Sequence, residues 1–191
     1  VGHAGTLDPL ATGLLIICTG KQTKEIHIYQ GQEKEYTGTF TIGATTPSYD
    51  LESEIDKTYP TAHITEELLR ETTKQFIGDI LQKPPIFSAI KKDGKRLYEL
   101  ARKGETTEIN ARTVTVSEFE ITKINLPEVA FRVVCSKGTY IRSLAYDFGL
   151  ALNSGAHLSA LRRTKIGNFS VEKGVSVERF INDLQEDTLE S

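Results

Sequence analysis

The sequence predicts a mixed α/β protein, and three observations carry that expectation. Short runs of β-branched and aromatic residues with period-two alternation are interleaved with segments of helical spacing. The interleaving continues almost to the C-terminus, and no repeat, low-complexity tract or Ser/Gly linker divides it. One domain over residues 1–191 is therefore expected. With 38% hydrophobic and 26% charged residues the composition is that of a globular chain, and a chain of this size buries roughly 70% of its unfolded surface without metal or disulfide staples.

Taken in order, the first element is a Gly-rich turn from Gly2 to Gly5, followed by Asp8-Pro9 and the apolar run Leu14 to Cys18, which reads as a buried strand between Gly13 and Gly20. Lys24 to Tyr29 suits a short helix. Tyr36, Gly38, Phe40 and Ile42 alternate with Thr37, Thr39 and Thr41, the pattern of a half-buried strand, and a loop through Pro47 and Asp50 follows. Thr65 is placed to cap a helix whose first turn holds Glu66 and Glu67 and whose spacing runs through Leu68, Leu69 and Phe76 to Gly78.

Pro84-Pro85 forces an extended stretch through Ile90, and Leu97 to Ala101 reads as a short helix ended by Gly104. Val114 and Val116 fall out of phase with Phe119 and Ile121, which predicts a bulged strand. Val129, Phe131, Val133 and Cys135 alternate with more polar residues in a further strand. Gly138 breaks it, and Ile141, Leu144, Ala145 and Phe148 resume with helical spacing, so that Tyr140 and Arg142 sit at a strand-to-helix junction. Ser176 to Leu184 closes the chain as a helix with a solvated or frayed tail.

The longest apolar run, Leu14 to Cys18, is far short of the ~20 residues of a membrane span, and no basic-then-apolar leader opens the sequence, so a cytoplasmic location and no membrane partner are expected. Cys18 and Cys135 lie in apolar runs and read as reduced, buried thiols. There is no methionine, so the sequence does not begin at its own initiator and a segment before Val1 is expected to be missing. A net charge of −3 discourages nucleic-acid binding only if charge is evenly spread. It is not. Lys91 to Lys103 holds Lys91, Lys92, Lys95, Arg96, Arg102 and Lys103 against Asp93 and Glu99, and Arg162, Arg163 and Lys165 form a second basic group. Both read as phosphate contacts, although a solvated face is the commoner fate of such runs.

The densest chemical signal is Gly2-His3-Ala4-Gly5-Thr6-Leu7-Asp8-Pro9-Leu10-Ala11-Thr12-Gly13. Its glycines allow a sharp turn and the close approach of another molecule. By residue type alone, a turn in which Asp8 caps nearby amides is the commoner outcome, and neither phosphate-cradle spacing is present.

That stretch, continued through Leu14-Leu15, resembles the catalytic motif of the TruB-type tRNA pseudouridine synthases, relatives of the catalytic subunits of the box H/ACA guided enzymes. Further matching stretches are Lys34-Glu35-Tyr36, Pro84 to Lys91, Gly94 to Gly104, Cys135 to Arg142, Gly155 to Leu158 and Leu161-Arg162-Arg163. Leu10-Ala11-Thr12 favours the stand-alone bacterial type. The resemblance implies the pseudouridine synthase fold, a central, mostly antiparallel mixed sheet flanked by helices.

It also implies an isomerase that detaches a uracil from its ribose, turns it and rejoins it through carbon, in the T loop of tRNA at uridine-55, with no cofactor and no metal. Asp8 is then the catalytic aspartate, Arg142 its partner, and Tyr36 the aromatic that stacks on the target base and accepts a proton. His3 helps extrude the nucleotide, Tyr140 and Leu161 line the uracil pocket, and Lys24 contacts the RNA backbone. A tRNA T arm is the expected partner, and the protein is expected to be a monomer. Relatives carry an N-terminal segment before this motif and often a C-terminal PUA module; neither is expected within these residues. The rival reading is a non-catalytic module that binds and folds tRNA with the same cleft.

Overall fold

A strand that pairs on both sides and buries one face organises the molecule. In the computed structural model, which describes residues 1–86, 91, 92, 95, 96, 99, 103 and 109–189, that strand is Lys34–Ile42. The strands are β1 (Gly2–His3), β2 (Thr12–Gly13), β3 (Ile17–Cys18), β4 (Lys34–Ile42), β5 (Ala44–Thr45), β6 (Lys57–Thr58), β7 (Gly78–Gln82), β8 (Lys91–Lys92), β9 (Lys95–Arg96), β10 (Arg112–Asn125), β11 (Glu128–Cys135), β12 (Ala156–Ile166) and β13 (Phe169–Ser170). The α-helices are α1 (Ile26–Gln30), α2 (Glu66–Thr73), α3 (Ile141–Ala151) and α4 (Val177–Leu189).

The central sheet has the order β13-β12-β4-β11-β10-β7, with β2 added alongside β12. Every pairing is antiparallel except that of β2 with β12, so the sheet is mixed but mostly antiparallel, as expected. β4 and β11 pair from Lys34 opposite Cys135 to Thr41 opposite Glu128. This register puts Phe40 and Phe131 on the same face, where their rings stack with centroids 4.1 Å apart. Phe148 from α3 and Phe119 from β10 close on Phe40 at 5.5 and 6.2 Å. The period-two pattern of β4 and β11 therefore decides which face meets the helices. The bulge expected in β10 lies between Val116 and Glu118, and it is what keeps both Val116 and Phe119 buried.

α2 begins as its sequence requires: the Leu68 amide donates to Thr65 Oγ1 at 3.1 Å, and the helix tightens into a 3₁₀ turn, Lys74–Phe76, before Gly78 at φ +95°. α3 buries Ile141, Leu144, Ala145 and Phe148 against the sheet. Its N-terminus is pinned from β7. The Gln82 side chain donates to the Tyr140 carbonyl at 3.0 Å and accepts from the Tyr140 amide at 2.8 Å, while Ser143 Oγ donates to the Lys83 carbonyl at 2.6 Å.

One expected element needs revision, and two form with other bounds. Leu14 to Cys18 is not a buried strand: only Ile17 and Cys18 pair, with Gly2 and His3, while Leu15 and Ile17 are exposed. An apolar run bounded by glycines does not by itself specify burial on two sides. The Lys24 to Tyr29 helix is a 3₁₀ turn, Gly20–Glu25, running into α1, and the closing helix extends to Leu189. Lys91–Lys92 pairs with Lys95–Arg96; the Leu97 to Ala101 helix, Phe87 to Ile90 and most of the remaining basic segment lie outside the described residues. Cys18 and Cys135 are buried and unbridged, and burial pushes the Cys135 thiol up to about 12. Among the described residues no helix is long and apolar enough to cross a membrane.

Two stability measurements follow from this packing. Phe40→Ala should cost about 3–5 kcal/mol in chemical denaturation, since a fully buried ring in contact with Phe119, Phe131 and Phe148 is removed. The Asp147 carboxyl of α3 is pushed up to about 6 by burial, opposed by Lys83. The folded chain thus holds this proton more tightly than the unfolded one. The resulting stabilisation is complete below the ordinary 3.8 and is lost as pH rises through about 6. Asp147→Asn should remove that pH dependence, so that its stability relative to wild type rises between pH 4 and 7 and then levels off.

Candidate active site

Asp8 stands in a loop that leaves β1 and returns at β3, closed by the Ala4 amide donating to the Ile16 carbonyl at 2.9 Å. Within it the Ala11 amide donates to the Asp8 carbonyl at 2.9 Å, a turn that directs the side chain inward. The loop is fastened to the sheet where β2 runs parallel to β12, with Thr12 opposite Arg162 and Gly13 opposite Arg163. Gly13 has φ +107°, and a Cβ there would lie 2.2 Å from the Arg163 carbonyl oxygen, so only glycine permits this approach.

Across the cleft, Arg142 is the second residue of α3 and only 3% exposed. Its Nη2 donates to Asp8 Oδ1 at 3.1 Å, and its Nε lies 3.0 Å from Asp8 Oδ2, a charge contact that misses the alignment of a second hydrogen bond. A guanidinium placed against both oxygens of one carboxylate fixes its plane as well as its charge. Burial raises the Asp8 carboxyl above its ordinary 3.8; Arg142 works against that rise through charge and a hydrogen bond, and nearby Asp50 adds to it.

The cleft above this pair has a volume of about 620 Å³. Asp8, Tyr36, Tyr140, Arg142 and Leu161 all line it, so five of the seven residues singled out in the sequence converge from four separate elements. Burial pushes the Tyr36 hydroxyl up to about 12, with Arg163 working against the rise. His3 and Lys24 are exposed and are not among the lining residues.

Other residues at or beside the cleft carry no signal in their spacing. Arg112, at the start of β10, sets its guanidinium 5.3 Å from the Tyr140 ring centre, and its Nη2 donates to the Tyr140 hydroxyl at 3.4 Å. Lys137 contributes an exposed cation to the rim. Asp50, 4% exposed, accepts from Ser48 Oγ at 2.6 Å and from the Glu52 amide at 3.0 Å. These residues are distant in sequence from Asp8, and only their chain neighbours could have suggested them. No group of three or more His, Cys, Asp or Glu side chains able to hold a metal occurs among the described residues.

Arg163 corrects the sequence reading. It was expected to contact phosphate beside Arg162 and Lys165, but it is 2% exposed whereas those two face solvent. Alternation along β12 sends Arg162 and Arg163 to opposite faces of the sheet.

The profile described as TruB family pseudouridylate synthase (N terminal domain) matches residues 1–141, and that described as tRNA pseudouridylate synthase B C-terminal domain matches residues 142–191. The chain belongs to the TruB family of pseudouridine synthases. The Asp8–Arg142 pair joins the two matched segments, Arg142 being the first residue of the second. The tRNA pseudouridine synthase B of Flavobacterium johnsoniae is 70% identical over 185 residues, 97% of this chain and 81% of that protein. The protein of the same name from Phocaeicola vulgatus is 60% identical over 190 residues, 100% of this chain and 81% of its own length. Among solved structures, a chain of a Cbf5-Nop10-Gar1 complex is similar with a TM-score of 0.73 and 30% identity over 98% of this chain and 47% of that one. A chain from an H/ACA RNP bound to a substrate RNA containing 2′-deoxyuridine gives 0.69 and 28%, over 98% of this chain and 46% of that one. This chain thus spans about half the length of those solved chains.

The opposition of burial and Arg142 at Asp8 has a direct consequence. In Arg142→Met, burial acts without its main counterweight, so the Asp8 carboxyl should titrate at higher pH than in wild type, as read from the side-chain carbon-13 shift of Asp8.

Proposed function

We propose that this protein isomerises uridine to pseudouridine in the T loop of tRNA, at uridine-55, with Asp8 as the catalytic residue. The observation that carries the reading is a carboxylate held on both oxygens by a buried arginine at the foot of a cleft walled by Tyr36, Tyr140 and Leu161. Family membership and the names of the relatives support it.

A base stacked in an RNA loop is out of reach of a carboxylate this deep, so the nucleotide must be flipped into the cleft at a cost of a few kcal/mol. Tyr36 offers a ring for stacking, Leu161 an apolar wall, and Arg142 keeps the carboxylate oriented. His3 and Lys24, both exposed, are assigned to the displaced strand and its phosphates. Asp8 assists breakage of the bond from the ribose anomeric carbon to N1; a bond from that carbon to C5 then forms, N1 gains a proton and C5 loses one. Tyr36, which lines the same cleft as Asp8, is the group we assign to that last proton, passing on its own hydroxyl proton as it takes the one from C5. Substrate and product are isomers, so the overall reaction needs no electron donor or acceptor.

Charge on the rim suits this substrate. Arg112 and Lys137 at the cleft and exposed Arg162 give a negatively charged chain cations to meet, and hairpin binding should weaken as salt rises.

The test is tritium release from 5-tritiated uridine in an unmodified T-arm hairpin. Wild type should release tritium in a single turnover, and Asp8→Asn, similar in shape but without the anionic oxygen, should lose about 10³-fold or more with hairpin binding retained. Binding without release by wild type would select the tRNA-folding reading instead, and full turnover by Asp8→Asn would remove Asp8 from its assigned role.

A further inference from the structure

Arg163 is a full positive charge buried in the floor of the cleft and directed at the main chain. Its Nε donates to the Leu14 carbonyl at 2.8 Å, its Nη2 to the Gly5 carbonyl at 3.0 Å, and its Nη1 to the Thr6 carbonyl at 3.4 Å. Gly5 and Thr6 lie on the limb of the loop that leads to Asp8, and Leu14 lies on the limb that returns from it. The same residue holds the returning limb through its own backbone, its carbonyl accepting from the Leu14 amide at 2.8 Å. On its other side Arg163 stands directly opposite Tyr36 in the β12–β4 pairing. Arg163 is two residues from Leu161 on β12, so one strand touches the carboxylate loop, the stacking tyrosine and the apolar wall.

We propose that Arg163 is a positioning residue for the reaction: its planar fork clamps both limbs of the Asp8 loop to β12 and thereby sets the separation of Asp8 from Tyr36. The proposal rests on Asp8 being the reacting carboxylate. The geometry is specific to arginine. A lysine carries the same charge on one nitrogen and cannot span three carbonyls on two limbs of a loop. Surface display of charge toward RNA, the ordinary use of an Arg-Arg pair, is excluded for this residue by its burial.

Removing the clamp should let the loop shift without opening the sheet, because β12 remains paired to β4 from Ala156 opposite Ile42 to Ile166 opposite Lys34. A displacement on the order of 1 Å between reacting groups costs about 10²-fold in rate.

The experiment uses the full chain with Arg163→Lys and Arg163→Gln, each checked for folded fraction by circular dichroism and rated per folded molecule. Single-turnover tritium release should fall by about 10²-fold in both, with hairpin affinity close to wild type and with the pH dependence of the residual rate unmoved. Amide exchange at Ala11 and Leu14 should accelerate while the β4–β11 ladder stays protected. If Arg163→Gln fails to fold, Arg163→Lys decides, since it keeps the charge and the aliphatic stem. A wild-type rate in Arg163→Lys, a loss confined to hairpin affinity, or unchanged exchange in the loop would each overturn the proposal. Should wild type release no tritium, the functional reading fails on its own, and the exchange measurement still judges the clamp.

Discussion

The contact on which the site depends is the ion pair between Asp8 and Arg142. It joins a loop at one end of the chain to the first turn of a helix more than 130 residues later, and it sets a half-buried carboxylate against a guanidinium withdrawn from water. Such a pair is costly to assemble and more costly to break, because the group left behind is a buried charge without its counterion. Much of the surrounding architecture can be read as holding the two ends in place. Gln82 grips both main-chain groups of Tyr140, so α3 starts at a fixed point; β2 and Arg163 hold the opposite loop against β12.

This arrangement resolves an apparent conflict in the chemistry. A cleft dry enough to stack a base disfavours a carboxylate, and burial does raise the Asp8 carboxyl. Arg142 opposes that rise at the carboxylate on which the proposed reaction relies, and the aromatic and apolar walls are free to exclude water. Cations that would meet RNA stay outside, on the rim and on the outer face of β12, while Arg142 and Arg163 are turned inward. Arg162 and Arg163, adjacent in sequence, therefore do different work according to which side of β12 they occupy.

Much of the fold was legible because it rests on local patterns. The alternation of Phe40 and Ile42 with threonines, that of Phe131 and Val133 with more polar residues, the phase slip before Phe119 and the capping hydroxyl of Thr65 each state a local geometry that packing then exploits. Leu14 to Cys18 misled for the opposite reason. Hydropathy reports a preference for burial, but a strand needs partners on its edges, and here only two residues have them.

By itself the sequence determined the strand and helix faces and the motif around Asp8, and through resemblance it singled out Arg142, Tyr36, Tyr140 and Leu161, which line one cleft. Only the tertiary structure decided that Arg163 is buried while Arg162 is not, that Arg112 and Asp50 belong near the site, and that the carboxylate meets its guanidinium on both oxygens. The reason is range. Periodicity and capping act over a few residues and leave a trace in spacing, whereas side-chain environment is set by strand register and loop closure between segments far apart, which no local pattern encodes.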